Sequence, residues 1–389
     1  MPNQFLSDEF GDIEDYFVTD YRLIDNFVGD TLWVWGYNNN GQLGVNDTNT
    51  RTTPVTTFAG GTTWKQISCG NNHTAAIKTD GTLWTWGSSA QGQLGLNDTN
   101  TRTTPVTTFA GGTNWKQISC GSNHTAAIKT DGSLWVWGWN NFGGLGINVS
   151  GGDRKTPVTT FAGGTNWKSV DGGKRGHTVA IKTDGTLWGW GFNDFGQLGT
   201  NDAIDRSTPV TTFAGGTNWK SVAGGYSHTA AIKTDGSLWS WGKNDFGQLG
   251  NFTTTTRSTP VTTFAGGTNW KSVVSGTSGT LAIKTDGTLW NWGRNEGRLG
   301  ANDGTSLKNT PVTTFAGGTN WKSIASGTQS AAIKTDGTLW TWGVNPSGQL
   351  GTNDTTERQT PVTTFAGGNN WKQVSGTSQT TAIKYSPDP

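Results

Sequence analysis

A unit of about 51 residues recurs along almost the whole chain, and this periodicity constrains the fold more than any other feature. The string GDTLWVWG at 29–36 returns six more times with small changes, each later copy behind a Lys-Thr-Asp-Gly lead-in, as in KTDGTLWTWG at 78–87. In the copy at 115–161, WKQIS and HTAAIKT read as short strands, the second ending at Asp131-Gly132. An Asp-Gly pair between two strands predicts a type I′ hairpin turn, because both central residues must accept positive φ. SLWVWG is then a third strand, antiparallel to the second. The polar, glycine-rich connection WNNFGGLGINVSGGDRK leads to a fourth, TPVTTF, with Pro157 at its start where a missing N–H is tolerated. Four short antiparallel strands per repeat make one propeller blade.

Counting the strands gives the closure. The third-strand motif begins at Leu32, Leu83, Leu134, Leu187, Leu238, Leu289 and Leu339, and the second-strand AIK motif centres on Ile77, Ile128, Ile181, Ile232, Ile283, Ile333 and Ile383. Both counts are seven, yet the first third strand has no second strand before it and the last second strand has no third strand after it. If these two orphans pair, the ring shuts without an open edge. The expectation is an all-β, seven-bladed β-propeller of four-stranded antiparallel blades, with one blade shared by N-terminal and C-terminal strands. Its parts are an acidic N-terminal arm (1–28), the propeller (29–386) and a short tail (387–389).

Composition agrees with many short strands, tight turns and aromatic anchors: 59 glycines, 22 tryptophans and only 14% charged residues. The net charge of +1 predicts no overall attraction to nucleic acid or to an acidic membrane surface. Residues 1–30 nevertheless hold eight acids (Asp8, Glu9, Asp12, Glu14, Asp15, Asp20, Asp25, Asp30) against Arg22. No basic region followed by an apolar core opens the chain, so no secretory signal is expected, and no stretch is long and apolar enough to insert in a bilayer. A soluble protein follows.

Catalytic, metal and cofactor chemistry find no foothold. His73, His124, His177 and His228 stand in successive copies of HT on separate blades, with Gly279, Gln329 and Gln379 in their place in the last three. They cannot converge as ligands or as a triad base, and each is expected to bond a neighbouring loop. Cys69 and Cys120 occupy equivalent places in adjacent repeats and are expected to be small buried side chains. The NDTNT segment at 46–50 has oxygen-ligand spacing without the full calcium-loop pattern. No phosphate-cradling loop is present.

Twenty-one tryptophans recur in register, in pairs such as Trp33 and Trp35 or singly in the WK strand, and are assigned to packing between blades. Trp139 alone falls outside that register. It lies at the position after each WxWG, which reads Tyr37, Ser88, Trp139, Phe192, Lys243, Arg294 and Val344 while its surroundings are nearly copied. The residues that follow also vary, as in Asn140, Phe142, Asn193, Phe195, Asn244, Phe246, Asn295, Glu296 and Pro346. In a closed ring these loops share one end of the propeller, and exposed aromatics with Lys and Arg have the composition of a binding hot spot. A second variable site, Lys174, Arg175 and Tyr226, precedes the HT strands.

The run GYSHTAAIKTDGSLWSWGKNDFGQLG resembles the regulator-of-chromosome-condensation repeat, and seven such copies cover about residues 29–386. The resemblance implies the propeller fold and does not specify function; the non-enzymatic expectation rests on the missing catalytic constellation. Known members include a guanine-nucleotide exchange factor that docks on chromatin, an inhibitor of β-lactamases and virion proteins of marine bacteriophages. The exchange-factor mechanism needs a wedge and a basic tail that this chain does not offer. TPVTTFAGG recurs seven times unchanged, which suggests internal duplication, and the acidic lead-in FGDIEDYFVTDYRLIDNFVGD followed by such repeats is similar to the viral type. On that resemblance the expected function is a non-enzymatic bacteriophage virion structural protein whose propeller presents a binding face, for host recognition or as a tail- or capsid-associated adhesin. Phe10, Tyr16, Phe17, Tyr21 and Phe27 of the arm would attach it to other virion proteins, and the loop face would bind a host surface protein or glycan. The alternative is a soluble, cytoplasmic protein-binding propeller such as an enzyme inhibitor.

Overall fold

A computed structural model describes residues 29–295, 299–302 and 305–386. Among these residues there are 28 strands and no helix. They form seven four-stranded antiparallel sheets, each ordered radially from an innermost first strand to an outermost fourth. Blades one to six run through 64–107, 115–159, 167–211, 219–262, 270–313 and 321–363. Blade seven takes its first two strands from Trp371–Gly376 and Gln379–Ser386, and its outer two from Gly29–Gly36 and Arg51–Thr56. Trp33 faces Ala382 and Leu32 faces Ile383 in an eight-pair register, so the two orphan strands join as expected.

Tryptophans knit the blades. In blade one, Trp64 meets Trp84 and Trp86 edge-on at ring separations of 6.1 and 6.2 Å, and the group packs on Leu32 and Ile383 of blade seven. The Trp86 indole N–H donates to the Gln42 carbonyl of the neighbouring loop (2.9 Å), which satisfies the one polar atom of a fully buried ring. Lys78 lies 4.3 Å over the Trp84 ring, and most blades repeat this contact. Cys69 and Cys120 are buried free thiols, and burial raises the Cys120 thiol to about 12.

The Asp-Gly turn differs from the expected type I′ geometry. In blade one, Gly81 has φ +80° while Asp80 is not among the positive-φ residues. The Gly81 N–H donates to Lys78 O (3.0 Å) and the Lys78 N–H to Thr82 O (3.0 Å), which is a type I turn closed by a left-handed glycine. The hydroxyl after the glycine decides this: the Thr82 N–H and Oγ1 both bond Asp80 Oδ1, at 2.9 and 2.7 Å, and hold Asp80 in its turn conformation. A Cβ at Gly81 would lie 2.0 Å from the Thr113 carbonyl oxygen. Gly81→Ala is therefore expected to destabilise the protein by about 2 kcal/mol or more, read as a lower denaturant midpoint; an unchanged midpoint would refute the assignment.

Three of the four histidines, His73, His124 and His228, bond a strand of the next blade rather than a loop, while both ring nitrogens of the buried His177 lack a hydrogen-bond partner among the described residues. His73 Nε2 lies 3.0 Å from Thr125 Oγ1, and that hydroxyl donates to the Gln93 carbonyl (2.8 Å). With the hydroxyl proton so engaged, Nε2 must carry the imidazole proton. His124 with Thr178 and His228 with Thr280 repeat the link. In blade six Gln329 takes the histidine's place and donates to Thr380 Oγ1 (2.7 Å).

Candidate binding face

The loops joining third to fourth strands, and those joining first to second, lie at one end of the ring. Their rigidity comes from asparagines in the variable segment. Asn193 is fully buried; its Nδ2 donates to the Asp202 and Ile204 carbonyls, and its Oδ1 accepts from the Leu198 N–H (2.9 Å). Asn38, Asn140, Asn244 and Asn345 make the corresponding bonds. Asn140, Asn193 and Asn244 are thus loop scaffolding within the variable segment, at a position that is Asn in six of the seven blades. The NDTNT carboxylate is likewise committed to structure: Asp47 pairs with Arg51 at 2.5 Å and accepts the Asn49 N–H. Among the described residues no cluster of ligating side chains could hold a metal ion.

Six of the seven positions after WxWG divide into two groups. Trp139, Phe192, Lys243 and Arg294 belong to a band of aromatic and cationic side chains on blades two to five. Trp139 meets Phe142 edge-on (5.2 Å), Phe142 lies 4.8 Å from Phe192, and Phe192 lies 6.4 Å from Phe195. The Arg175 guanidinium bridges the rings of Phe192 (4.6 Å), Phe195 (5.3 Å) and Tyr226 (5.5 Å). Lys243 lies 4.9 Å over Phe195 and pairs with Asp245 (3.2 Å), and Arg294 lies 4.9 Å over Phe246. Phe192 is only 2% exposed, which corrects the expectation of an exposed ring: Arg175 and Phe142 cover it. The second variable site is therefore part of the first.

Tyr37 and Val344 instead line a cavity of about 590 Å³ on the propeller axis, together with Tyr226, Pro346 and Lys174. Lys174 spans the channel from blade three, its ammonium donating to the Ser326 carbonyl of blade six. Beneath it a chamber of about 410 Å³ holds Asp171, which accepts from the Ser119 hydroxyl (2.7 Å) and the Gly224 N–H (2.8 Å). Burial lowers the Lys174 ammonium to about 8, although the Asp171 charge opposes this, and burial raises the Asp171 carboxyl. Ser88 joins neither group; its N–H donates to Asn72 O.

Arg175 as the link between the two sites was not foreseen, though one signal was available. GGKRGHT carries one residue more than GGYSHT, and the extra Gly176 (φ +88°) admits the Trp139 ring, because a Cβ there would lie 2.8 Å from it. Exposed phenylalanines from Phe58 to Phe365, one at the end of each outermost strand, are 64–66% exposed. Being copied in every blade, they single out no part of the outer wall. Glu296 and the arm residues Phe10, Tyr16, Phe17, Tyr21 and Phe27 lie outside the described residues.

A profile of the Regulator of chromosome condensation (RCC1) repeat matches residues 30–77, 80–128, 184–232, 235–283 and 336–383, together more than half of the chain. The Ultraviolet-B receptor UVR8 of Arabidopsis thaliana is 34% identical over 288 residues, 72% of this chain and 65% of that protein. The human E3 ubiquitin-protein ligase HERC2 is 32% identical over 201 residues, 51% of this chain but 4% of that protein. The chain thus spans under two thirds of these relatives. Among solved structures, human WBSCR16 superposes with a TM-score of 0.80 at 20% identity, covering 92% of this chain and 99% of that one. Yeast RCC1 (Prp20), solved bound to Kap60, gives 0.79 at 19% identity, covering 99% and 96%. At such identities the structures show the fold alone.

These relatives overturn the virion assignment. Proteins of plant and animal origin named as a receptor, a ubiquitin ligase and a GTPase regulator homologue replace bacteriophage tail proteins as the kin of this chain. With that go the virion localisation, the virion partners of the arm and the host surface protein or glycan expected at the loop face. The error has a physical cause: near-identity between copies records duplication of a blade, and a blade specifies packing, not what its loops bind. By its matched repeats and its seven closed blades, the chain belongs to the Regulator of chromosome condensation (RCC1) repeat family.

Proposed function

We propose that this chain is a non-catalytic, protein-binding propeller whose loop face docks a protein partner on the band centred on Arg175. The observation that carries the reading is a break in symmetry. Where almost every other position is copied around the ring, the loops of blades two to four gather Trp139, Phe142, Phe192, Phe195, Arg175, Tyr226 and Lys243 into one contiguous surface. Aromatic and arginine side chains on a rigid base lose little conformational entropy on binding, which is why such residues dominate interface energetics. The asparagine pins supply that base. Yeast Prp20 is solved bound to Kap60 and has binding properties toward Gsp1p and histones, which supports protein recognition as the class of function on this scaffold. An enzyme is among the partners such a face can take, as an inhibitor's target.

The test compares variants on one captured partner. Partners retained by the wild-type chain are identified, and their affinity is measured for Arg175→Ala, Trp139→Ala and, on the opposite end, Lys168→Ala. Arg175→Ala and Trp139→Ala are each expected to cost about 1–4 kcal/mol of binding, with Lys168→Ala near zero. Equal affinity across all three would remove the band from the interface.

A further inference from the structure

At the end of the ring opposite the loop face, the innermost strands present a circle of lysines. Lys65, Lys116, Lys168, Lys220, Lys271, Lys322 and Lys372 are each the second residue of a first strand. Each sits at a register shift: Trp64 faces Lys78 while Gln66 already faces Ile77, so Lys65 is the unpaired residue of a bulge, and the other six blades repeat this. A bulge of this kind turns a side chain out of the sheet. All seven are exposed, and Lys220 lines the axial channel, which places the circle around its mouth.

Other charges at this end are already committed. The AIK lysines lie over tryptophan rings, and turn carboxylates such as Asp80 accept bonds from the residues after them. Six lysines of the circle have no ion-pair partner among the described residues. The seventh has one: Lys372 Nζ lies 2.6 Å from Asp30 Oδ1. Asp30 directly follows Gly29, the first described residue, and its N–H donates to the Thr62 carbonyl at this same end (2.8 Å).

We propose that the acidic segment 1–28 is the occupant of this surface, bound in cis across the lysine circle and continuing the contact that Asp30 begins. Charge complementarity carries the proposal. Segment 1–28 holds seven acids against Arg22, a balance of −6, so the net +1 of the chain leaves +7 on residues 29–389. Twenty-eight residues reach up to roughly 90 Å when extended, enough to pass round the channel mouth from Gly29. Fixed ammonium groups of one sign repel each other, and a tethered polyanion relieves that repulsion at high effective concentration. Such pairing is exposed, so salt screens it.

The experiment is carbodiimide cross-linking of the full chain, which joins carboxylates to amines already in contact, followed by peptide mass spectrometry. An equimolar mixture of isotopically light and heavy chains separates cis from trans links. The expected result is isopeptide bonds from Asp8, Glu9, Asp12, Glu14, Asp15, Asp20 or Asp25 to lysines of the circle, within one chain, falling at least tenfold in 1 M sodium chloride. Replacing Lys65, Lys116, Lys168, Lys220, Lys271 and Lys322 by Gln should leave at most links to Lys372 while keeping the unfolding midpoint within a few degrees. Mixed light-heavy links would assign the surface to a second copy and overturn the cis contact. Links spread evenly over Lys243 and the circle, or none to the circle, would overturn the surface itself.

Discussion

A chain ending at Ser378 is expected to lose its cooperative unfolding transition. The truncation removes Gln379–Ser386, the second strand of blade seven, which pairs with Gly29–Gly36 at eight positions and with Trp371–Gly376 at five. Both ladders vanish together, leaving Trp371–Gly376 without a partner in its sheet and Gly29–Gly36 paired only to the outermost strand. Ile383 and Ala382, which fill the clusters around Trp64 and Trp371, are lost as well. At about 1 kcal/mol net per backbone bond and about 2 kcal/mol for the isoleucine, the loss is on the order of 10 kcal/mol, as large as the whole stability of an ordinary domain. Thermal unfolding followed by near-ultraviolet circular dichroism of the buried tryptophans would show it, and a peptide of residues 379–386 added in trans should partly restore the signal. A truncated chain that still melts sharply near the wild-type temperature would mean that blades are stable one by one, as in an open solenoid, and that closure contributes little.

How far such features could be read in advance differs from one level to the next. Ring, blade number and shared blade were legible because each rests on counting Leu32 and Ile383 against their copies, and pairing of unsatisfied edges leaves one solution. The turn after AIK was not, since an Asp-Gly pair serves both two-residue and three-residue hairpins. Thr82, whose hydroxyl and amide close on Asp80, settles that choice through a bond the pair alone does not announce. The loop face was legible as a place and not as a surface. Phe192 is exposed or buried according to where Arg175 lies, and Arg175 reaches it from a different connection of the ring. Asn193 stands among variable neighbours, yet its position is Asn in six of the seven blades and its role is to pin the loop beneath them. Variation marks where packing tolerates change; it does not distinguish a contact from the support behind it.

The buried histidines predict an acid-labile ring. Burial, helped by neighbouring positive charge, lowers His73, His177 and His228 to about 3, and burial lowers His124 to about 4, against an ordinary 6.5. Each is neutral when folded, whereas the unfolded chain takes up a proton below 6.5. Stability from these four sites is therefore complete above pH 6.5 and falls as pH drops toward 4, by about 1.4 kcal/mol per histidine per pH unit. Four together lose roughly 7 kcal/mol between pH 6.5 and 5, within reach of the total stability. Among the described residues, the other groups with shifted titration do not account for the same window. The turn aspartates, with carboxyls held below the ordinary 3.8, act at lower pH; Lys174 titrates above it; and Asp171, raised by burial, works in the opposite direction. The chain carries its own control in Gln329, which makes the blade-to-blade bond to Thr380 without a titratable proton. Replacing His73, His124 and His228 by Gln should keep the bonds to Thr125, Thr178 and Thr280 and cut the proton uptake on unfolding from about four to about one. Denaturant midpoints at pH 7.5, 6 and 5 would measure both chains. A wild-type stability that stays flat to pH 5 would refute neutral, buried histidines, and an unchanged slope in the triple variant would place the acid sensitivity elsewhere in the ring.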